Sequence, residues 1–313
     1  MEVITLKEYG MDRIGELQRF LNLHLSEDAI DDELFNHITR GDPNFNPELV
    51  LMAVEDDKIL GVLLGVERTK EPKEAVEKDK VSAWIKALAI DLSVKEKDHI
   101  LEKLLNEYLE IMKGKGKEVI RYADFASWYI FPGLDLRYEY YLLRLLKRGF
   151  RKVGECVDYE VDLLGFRIPN RVKELLKRNQ ERGIIFRRGK RGEEKKVTEW
   201  ILEHFGPFWK YEAMMAYTRG KSPTIWLALR DEEVIGFSCY SALHKDWFGP
   251  IGVDKKARGL GIGTILLFKS LEDMRSAGRR IIRIPWTSHL FFYTQVPRIV
   301  RVRHYWQLAL EVR

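Results

Sequence analysis

The sequence predicts an α/β protein made of two similar halves, each a mixed, mostly antiparallel sheet flanked by helices. Three observations carry that prediction. The chain has 313 residues, a length that suits about two domains. A strand, an acidic turn and a second strand occur in that order twice. Each copy is then followed by the same succession of strand, loop, helix, strand, short helix and closing strand.

The first hairpin is LVLMAVEDDKILGVLLGV at 49–66, turning at Asp56-Asp57, and the second is TIWLALRDEEVIGFSCY at 224–240, turning at Asp231–Glu233. Both are runs of β-branched and apolar residues split by turn formers. The first is followed by a strand at Trp84–Ile90, a loop near Ser93 and a helix from about Asp98 to Met112. The second is followed by a strand at Trp247–Val253, a loop at Asp254–Gly263 and a helix at Thr264–Ala277. That helix places Leu267, Leu271 and Met274 on one face and stops at Gly278, a residue type that ends helices. The next strands are Glu118–Tyr122 and Arg280–Pro285, and the closing strands are Cys156–Leu163 and Val302–Val312. The boundary is expected near Gly165–Pro169, giving halves at 1–165 and 166–313.

Composition narrows the function classes. Hydrophobic residues make up 45% and aromatics 12% of the chain, enough for real cores. No apolar run approaches the ~20 residues of a membrane helix, and MEVITLKEYG lacks the pattern of a signal peptide. A cytoplasmic protein is therefore expected. The two cysteines, Cys156 and Cys239, exclude a disulfide framework and a CxxC site. The histidines show no metal-ligand spacing, so no metal is expected. Charged residues are 32%, with both signs interspersed, a mixture typical of heat-adapted proteins.

The net charge of +5 is uneven. Segment 167–196 carries twelve Lys or Arg against four acids. Such a run suits a solvated helix and loop, or a patch for an anionic ligand or nucleic acid.

The chemistry is concentrated at Trp247–Leu267, where a strand enters a glycine-rich loop and passes directly into a helix. Glycines allow positive φ and close backbone approach. Successive N–H groups there form an anion nest, and the helix N-terminus adds unpaired donors and a positive dipole end. Lys255, Lys256 and Arg258 add charge around a site suited to a pyrophosphate. The GxxxxGK[ST] pattern is absent and GxGxxG misses by one position. The spacing that fits is Arg-x-x-Gly-x-Gly at Arg258, Gly261 and Gly263.

This motif resembles the acetyl-CoA signature of the GNAT superfamily of N-acetyltransferases. The preceding strand, the leucine-rich helix, the next strand and Phe292-Tyr293 arrive in the family's order, across the whole second half. The resemblance implies acetyl-CoA as cosubstrate. Its contacts would be Ile251 and Val253 on the strand, and Arg258, Gly259, Gly261, Ile262, Gly263 and Thr264 at the loop and helix start. It also implies that Tyr293 protonates the departing thiolate. Pro250 suits the bulge that the family carries on this strand. Where members carry an asparagine that bonds the pantetheine, this chain has Trp286, and Pro297-Arg298 replaces the usual Gly-Phe.

The first half resembles a second GNAT fold in its element order, and LLKRGFRKVGECVDYEVDL is similar to the family's closing pattern. Its loop, Ile90–Ile100, has no glycine and offers Asp91, Glu96 and Asp98 where phosphates would lie. This half is expected to be degenerate and non-catalytic. The phrase FGPIGVDKKARGLGIGTILLFKSLEDM is similar to tandem amino-sugar N-acetyltransferases.

The expected activity is acetyl transfer to the primary amine of a small molecule, an amino sugar among the candidates. Acetylation of a protein or peptide amine and a non-catalytic acyl-CoA-responsive or nucleic-acid-associated role stay open beside it. No membrane partner is expected and nucleic acid is disfavoured. The general base is not readable. His244, Asp246 and Asp254 flank the motif strand, while Trp209, Tyr211 and Glu212 lie in a helical segment that would border the acceptor.

Overall fold

The computed structural model describes residues Met1–Val312. The chain divides into two units. One is Met1–Cys156 together with the chain from His304 onward, and the other is Val157–Arg303.

Unit one contains β1 (Glu2–Thr5), α1 (Leu6–Tyr9), α2 (Ile14–His24), α3 (Asp32–Ile38), β2 (Val50–Glu55), β3 (Lys58–Val66) and α4 (Lys73–Val76). β4 (Ser82–Ile90), α5 (Lys97–Gly114), β5 (Val119–Tyr122), β6 (Leu134–Asp135) and α6 (Glu139–Arg148) follow, and β7 (Arg151–Asp162) begins there. Asp56 and Asp57 both adopt positive φ, 48° and 62°, the backbone that a tight hairpin demands. They set Val54 opposite Ile59 and Met52 opposite Val62. Neighbouring strands pair antiparallel from β1 to β4, and β4 pairs parallel with β5. The last chain segment then adds to β5, with Leu308 opposite Tyr122 and Leu310 opposite Ile120.

Unit two contains α7 (Asn170–Glu181), β8 (Ile184–Arg188), α8 (Glu194–Phe205), α9 (Pro207–Thr218), β9 (Ile225–Arg230), β10 (Glu233–Tyr240) and β11 (Phe248–Val253). These are followed by α10 (Ile262–Ser276), β12 (Ile281–Thr287), α11 (Leu290–Tyr293) and the start of β13 (Ile299–Glu311). Four antiparallel strands lie in the order β11-β10-β9-β8. Asp231 and Glu232 repeat the positive-φ turn at 51° and 65°.

Strand alternation sorts this sheet's two faces. Leu227, Phe237 and Cys239 pack with Val197, Ile201 and Ala213 of α8 and α9. Ala228 packs with Ile262 and Leu266 of α10 on the other face. Each such fully buried large side chain is worth about 1.5–3 kcal/mol, so the sheet is clamped between two helical layers. This is the α/β architecture with mixed, mostly antiparallel sheets that the hairpins predict.

Some boundaries differ from the sequence reading. α10 starts at Ile262 rather than Thr264, because Gly261 at φ 77° stands as its N-cap. The units divide at 156/157 and 303/304 rather than at 165/166. The reason is the long strands at each end. Residues 308–311 find their ladder on β5, and Val157–Asp162 of β7 find theirs on β12. Among the described residues, no helix is long and apolar enough to cross a membrane.

Candidate functional site

The site in unit two begins where two parallel strands separate. Among the described residues the two meet at one bridge, formed just before β11 by Trp247 with Arg283 of β12, reinforced by the Arg283 N–H donating to the Asp246 carbonyl at 2.9 Å. Beyond that bridge β11 is the terminal strand of its sheet, paired among the described residues with β10 alone. Its pairing with β10 shifts register between Ser238 and Tyr240, opposite Gly249-Pro250. The expected bulge is therefore present, and proline tolerates it because such a position needs no ladder N–H.

The apex of this splay is anchored from beneath. Asp158 on β7, fully buried, pairs with the Arg283 guanidinium and accepts from the Trp286 N–H at 2.7 Å. Arg283 also lies over the Trp247 ring, 5.1 Å from its centroid. Trp286 adopts φ 52° at a register shift of β12 between Ile284 and Thr287. The strand thus bends away at the position where the sequence departs from the family pattern.

At the open end of the splay, β11 runs through a turn at Lys255–Ala257 into the loop before α10. The Asp254 carboxylate caps that turn, accepting from the Lys256 N–H at 2.9 Å. Gly259 and Gly261 take φ of 82° and 77°, a region that costs a side-chain-bearing residue. A Cβ on Gly259 would meet nothing within 4 Å, whereas one on Gly261 would lie 2.4 Å from Leu175 Cδ2. The first N–H groups of α10, on Ile262, Gly263 and Thr264, find no acceptor among the described residues. Gly261 has no side chain to cap them. Three unpaired donors at the start of a 15-residue helix, beside two positive-φ glycines, form an anion cradle.

The structure brings the remaining expected residues to this place. Ile251 and Val253 are half-buried on β11, and Thr264 is half-buried in the first turn of α10. The Ile262 side chain is buried in the core, so only its backbone faces the cradle. Arg258 is exposed and its Nε donates to the Val253 carbonyl at 3.4 Å. The Cβ position of Gly263 lies 3.4 Å from Phe292 Cζ and 3.6 Å from Val253 Cγ2. Strand end, helix start and α11 therefore meet across a glycine.

Tyr293 closes the opposite side. Its ring packs among Phe292, Tyr159 and Phe248, with centroids 4.9, 6.2 and 6.3 Å away. Among the described residues its hydroxyl has no hydrogen-bond partner, and its oxygen is not completely sealed from the surface. Burial pushes the phenol above its ordinary value, so it stays protonated at neutral pH.

Other candidates are placed elsewhere. Trp209 stacks on Phe205 at 5.2 Å and packs against Phe237, and Tyr211 and Glu212 are half-buried on the same helix. His244 Nδ1 accepts from the Asp246 N–H at 3.2 Å. Burial, followed by the charge of Glu212, pushes the Cys239 thiol up, which removes it as a nucleophile. In the basic segment, Arg187 is held by Glu193 and Arg188 by Asp273, and Arg191 donates to the Gly220 carbonyl at 2.7 Å.

Sequence reasoning missed the supports. The Asp158–Arg283 pair and the contacts of Leu175 and Asn179 on α7 join residues distant in the chain. The Asp273 carboxylate gathers Arg188, Trp226 and Tyr240 at 2.6–2.9 Å. Burial opposes its charge, yet hydrogen bonds from those three groups outweigh burial and hold it below the ordinary carboxylate range.

Residues 194–289 match the sequence profile of the Acetyltransferase (GNAT) family. Among curated proteins none matches this chain. Several solved structures share its fold. The GCN5-related glucosamine N-acetyltransferase region of a fungal multi-domain GH3 beta-N-acetylglucosaminidase aligns with a TM-score of 0.79 at 17% identity, covering 99% of this chain. This chain spans only 38% of the length of that fungal protein. A GCN5-related N-acetyltransferase from Sphaerobacter thermophilus aligns with a TM-score of 0.67 at 16% identity, over 95% of this chain and 92% of that one. A tandem GNAT protein from the clavulanic acid biosynthesis pathway aligns with a TM-score of 0.66 at 12% identity, over 100% and 98%.

Proposed function

We propose that the chain is a tandem GNAT-type acetyltransferase, from the family match at residues 194–289 and the fold shared with a tandem GNAT protein, and that unit two transfers acetyl from acetyl-CoA to the primary amine of a small molecule. The observation that carries this reading is the union of the splayed β11–β12 pair with the unpaired N–H groups of Ile262, Gly263 and Thr264. A diphosphate fits those donors and the nest at Gly259 and Gly261. The pantetheine arm fits the free edge of β11 near Ile251 and Val253, which supports the acetyl thioester reaching the apex beside Tyr293.

In this reading the amine nitrogen attacks the thioester carbonyl carbon and the carbon–sulfur bond breaks. The sulfur leaves as a thiolate and takes the Tyr293 hydroxyl proton, giving the free thiol, while the proton that the attacking nitrogen loses as the amide forms passes to solvent, from which the tyrosinate is reprotonated. Burial of Tyr293 supports the role because the proton is present at neutral pH and the hydroxyl has no competing partner. Position and proton supply are what such a reaction asks of the protein.

We read unit one as non-catalytic. Its β4 pairs with β5 through a ladder from Ser82 to Ile85. Further along, the Ile90 N–H is taken by the Tyr141 hydroxyl at 2.8 Å. The loop that follows is organised by Asp91, which accepts from the Ser93 N–H and hydroxyl, and Asp98 adds a carboxylate to the first turn of α5. Acids in place of a nest disfavour a phosphate.

The fungal glucosamine N-acetyltransferase region, whose fold matches over 99% of this chain, supports an amino sugar as acceptor. A panel of amino sugars, other small amines and peptides, assayed by release of free CoA thiol, tests the proposal. Turnover of glucosamine or a related amino sugar is expected. Turnover of peptides alone would overturn the small-amine reading, and no thiol release with any amine would overturn catalysis.

A further inference from the structure

We propose that α7 recognises the phosphate carried on the ribose of coenzyme A, so that the protein distinguishes CoA from its 3′-dephospho form; this rests on the acetyl-CoA reading above. The reason is how α7 meets the loop. Leu175 fills the space where Gly261 would carry a side chain. Asn179, fully buried, donates from Nδ2 to the Leu175 and Leu260 carbonyls at 2.9 Å each. Its Oδ1 is buried without a donor, so the fold keeps this junction at a cost in stability.

Leu175 and Asn179 are one turn apart, and both touch the loop. Arg178 and Arg182 each follow one of them by three positions, and residues so spaced are neighbours on a helix surface. Both arginines are exposed. Among the described residues neither makes an ion pair or a side-chain hydrogen bond, in contrast to Arg187, Arg188, Arg275 and Arg283.

The backbone donors of the cradle account for two phosphates. With those donors taken by the diphosphate, a third phosphate carried on the ribose calls for side-chain cations. Guanidinium groups bind phosphate through paired hydrogen bonds. Unpaired arginines on the helix that abuts the loop meet that need. Lys255 and Lys256 add positive charge on the strand side of the same loop.

Calorimetry on the full chain with CoA and 3′-dephospho-CoA, at one ionic strength, tests the inference. Wild type is expected to bind CoA about tenfold more tightly, the scale of a charge-assisted phosphate contact. The Arg178→Gln/Arg182→Gln variant is expected to lose that preference, so that removing the arginines and removing the phosphate do not add. A Lys195→Gln/Lys196→Gln variant, equal in charge removed from the same segment, is expected to keep the preference. Equal wild-type affinities for the two forms would overturn the inference without needing any variant. So would an equal loss for both forms in the arginine variant, or loss of the preference in the lysine variant. In those cases CoA still binds and the acetyl-CoA reading stands. Binding of neither form would overturn that reading, and this inference with it.

Discussion

Gly261 joins backbone conformation, packing and ligand binding in one residue, and substitution can separate the three. Its φ of 77° costs a non-glycine residue about 1–2 kcal/mol. Its Cβ would stand 2.4 Å from Leu175 Cδ2, and relieving such overpacking costs ~1–3 kcal/mol. Gly261→Ala should therefore destabilise unit two by ~2–5 kcal/mol. At roughly 2–4 °C per kcal/mol for a unit of this size, the melting temperature should fall by several degrees. Gly259→Ala shares the positive φ, at 82°, but its Cβ meets nothing within 4 Å. It should cost only the conformational ~1–2 kcal/mol. Adding Leu175→Ala to Gly261→Ala should recover part of the difference, relative to Leu175→Ala alone. Gly261→Asp adds a carboxylate to the cradle, and acetyl-CoA affinity by calorimetry should fall at least ~10-fold, or about 1.4 kcal/mol. A folded Gly261→Asp protein with undiminished affinity would refute the assignment of the loop. Equal destabilisation by Gly259→Ala and Gly261→Ala would refute the packing argument.

Tyr293→Phe keeps the ring and removes the hydroxyl, so turnover should drop by about 10²–10⁴-fold with acetyl-CoA affinity nearly unchanged; full turnover with a lower melting temperature would assign Tyr293 to the core alone. An acid works only while protonated, and burial raises this phenol above its usual value near 10, so the wild-type rate should show no falling limb at or below about pH 10; a decline centred there would contradict a buried acid. Titration with CoA should give one site per chain, because the nest belongs to unit two; two equivalent sites would show that unit one also binds. Asp273→Asn should cost about 1–3 kcal/mol by denaturant melting, since a buried acceptor of four donated bonds loses its charge. The Asp273 carboxyl lies below its unfolded value near 3.9. Its contribution is therefore present above that pH and is lost as pH falls through the folded value; an acid limb unchanged in the Asn variant would contradict this.

The sequence by itself determined the local patterns. Alternating apolar residues around Asp56-Asp57 and Asp231-Glu232 specify both hairpins, because a tight turn and a two-residue period act within a few residues. Glycines at 259, 261 and 263 specify a nest opening a helix for the same reason. Tertiary structure decided what depends on partners far along the chain. The final strand's place on β5 is set by a ladder between residues 119–122 and 308–311. The splay is held by Asp158, 125 positions before Arg283. Asn179 reaches Leu260 across 81 positions to set α7 against the loop. No periodicity encodes these meetings, because each arises from two surfaces that become neighbours only after the sheet and helices have packed. The same limit applies to Tyr293, which the pattern could name but whose protonation follows from the rings that bury it.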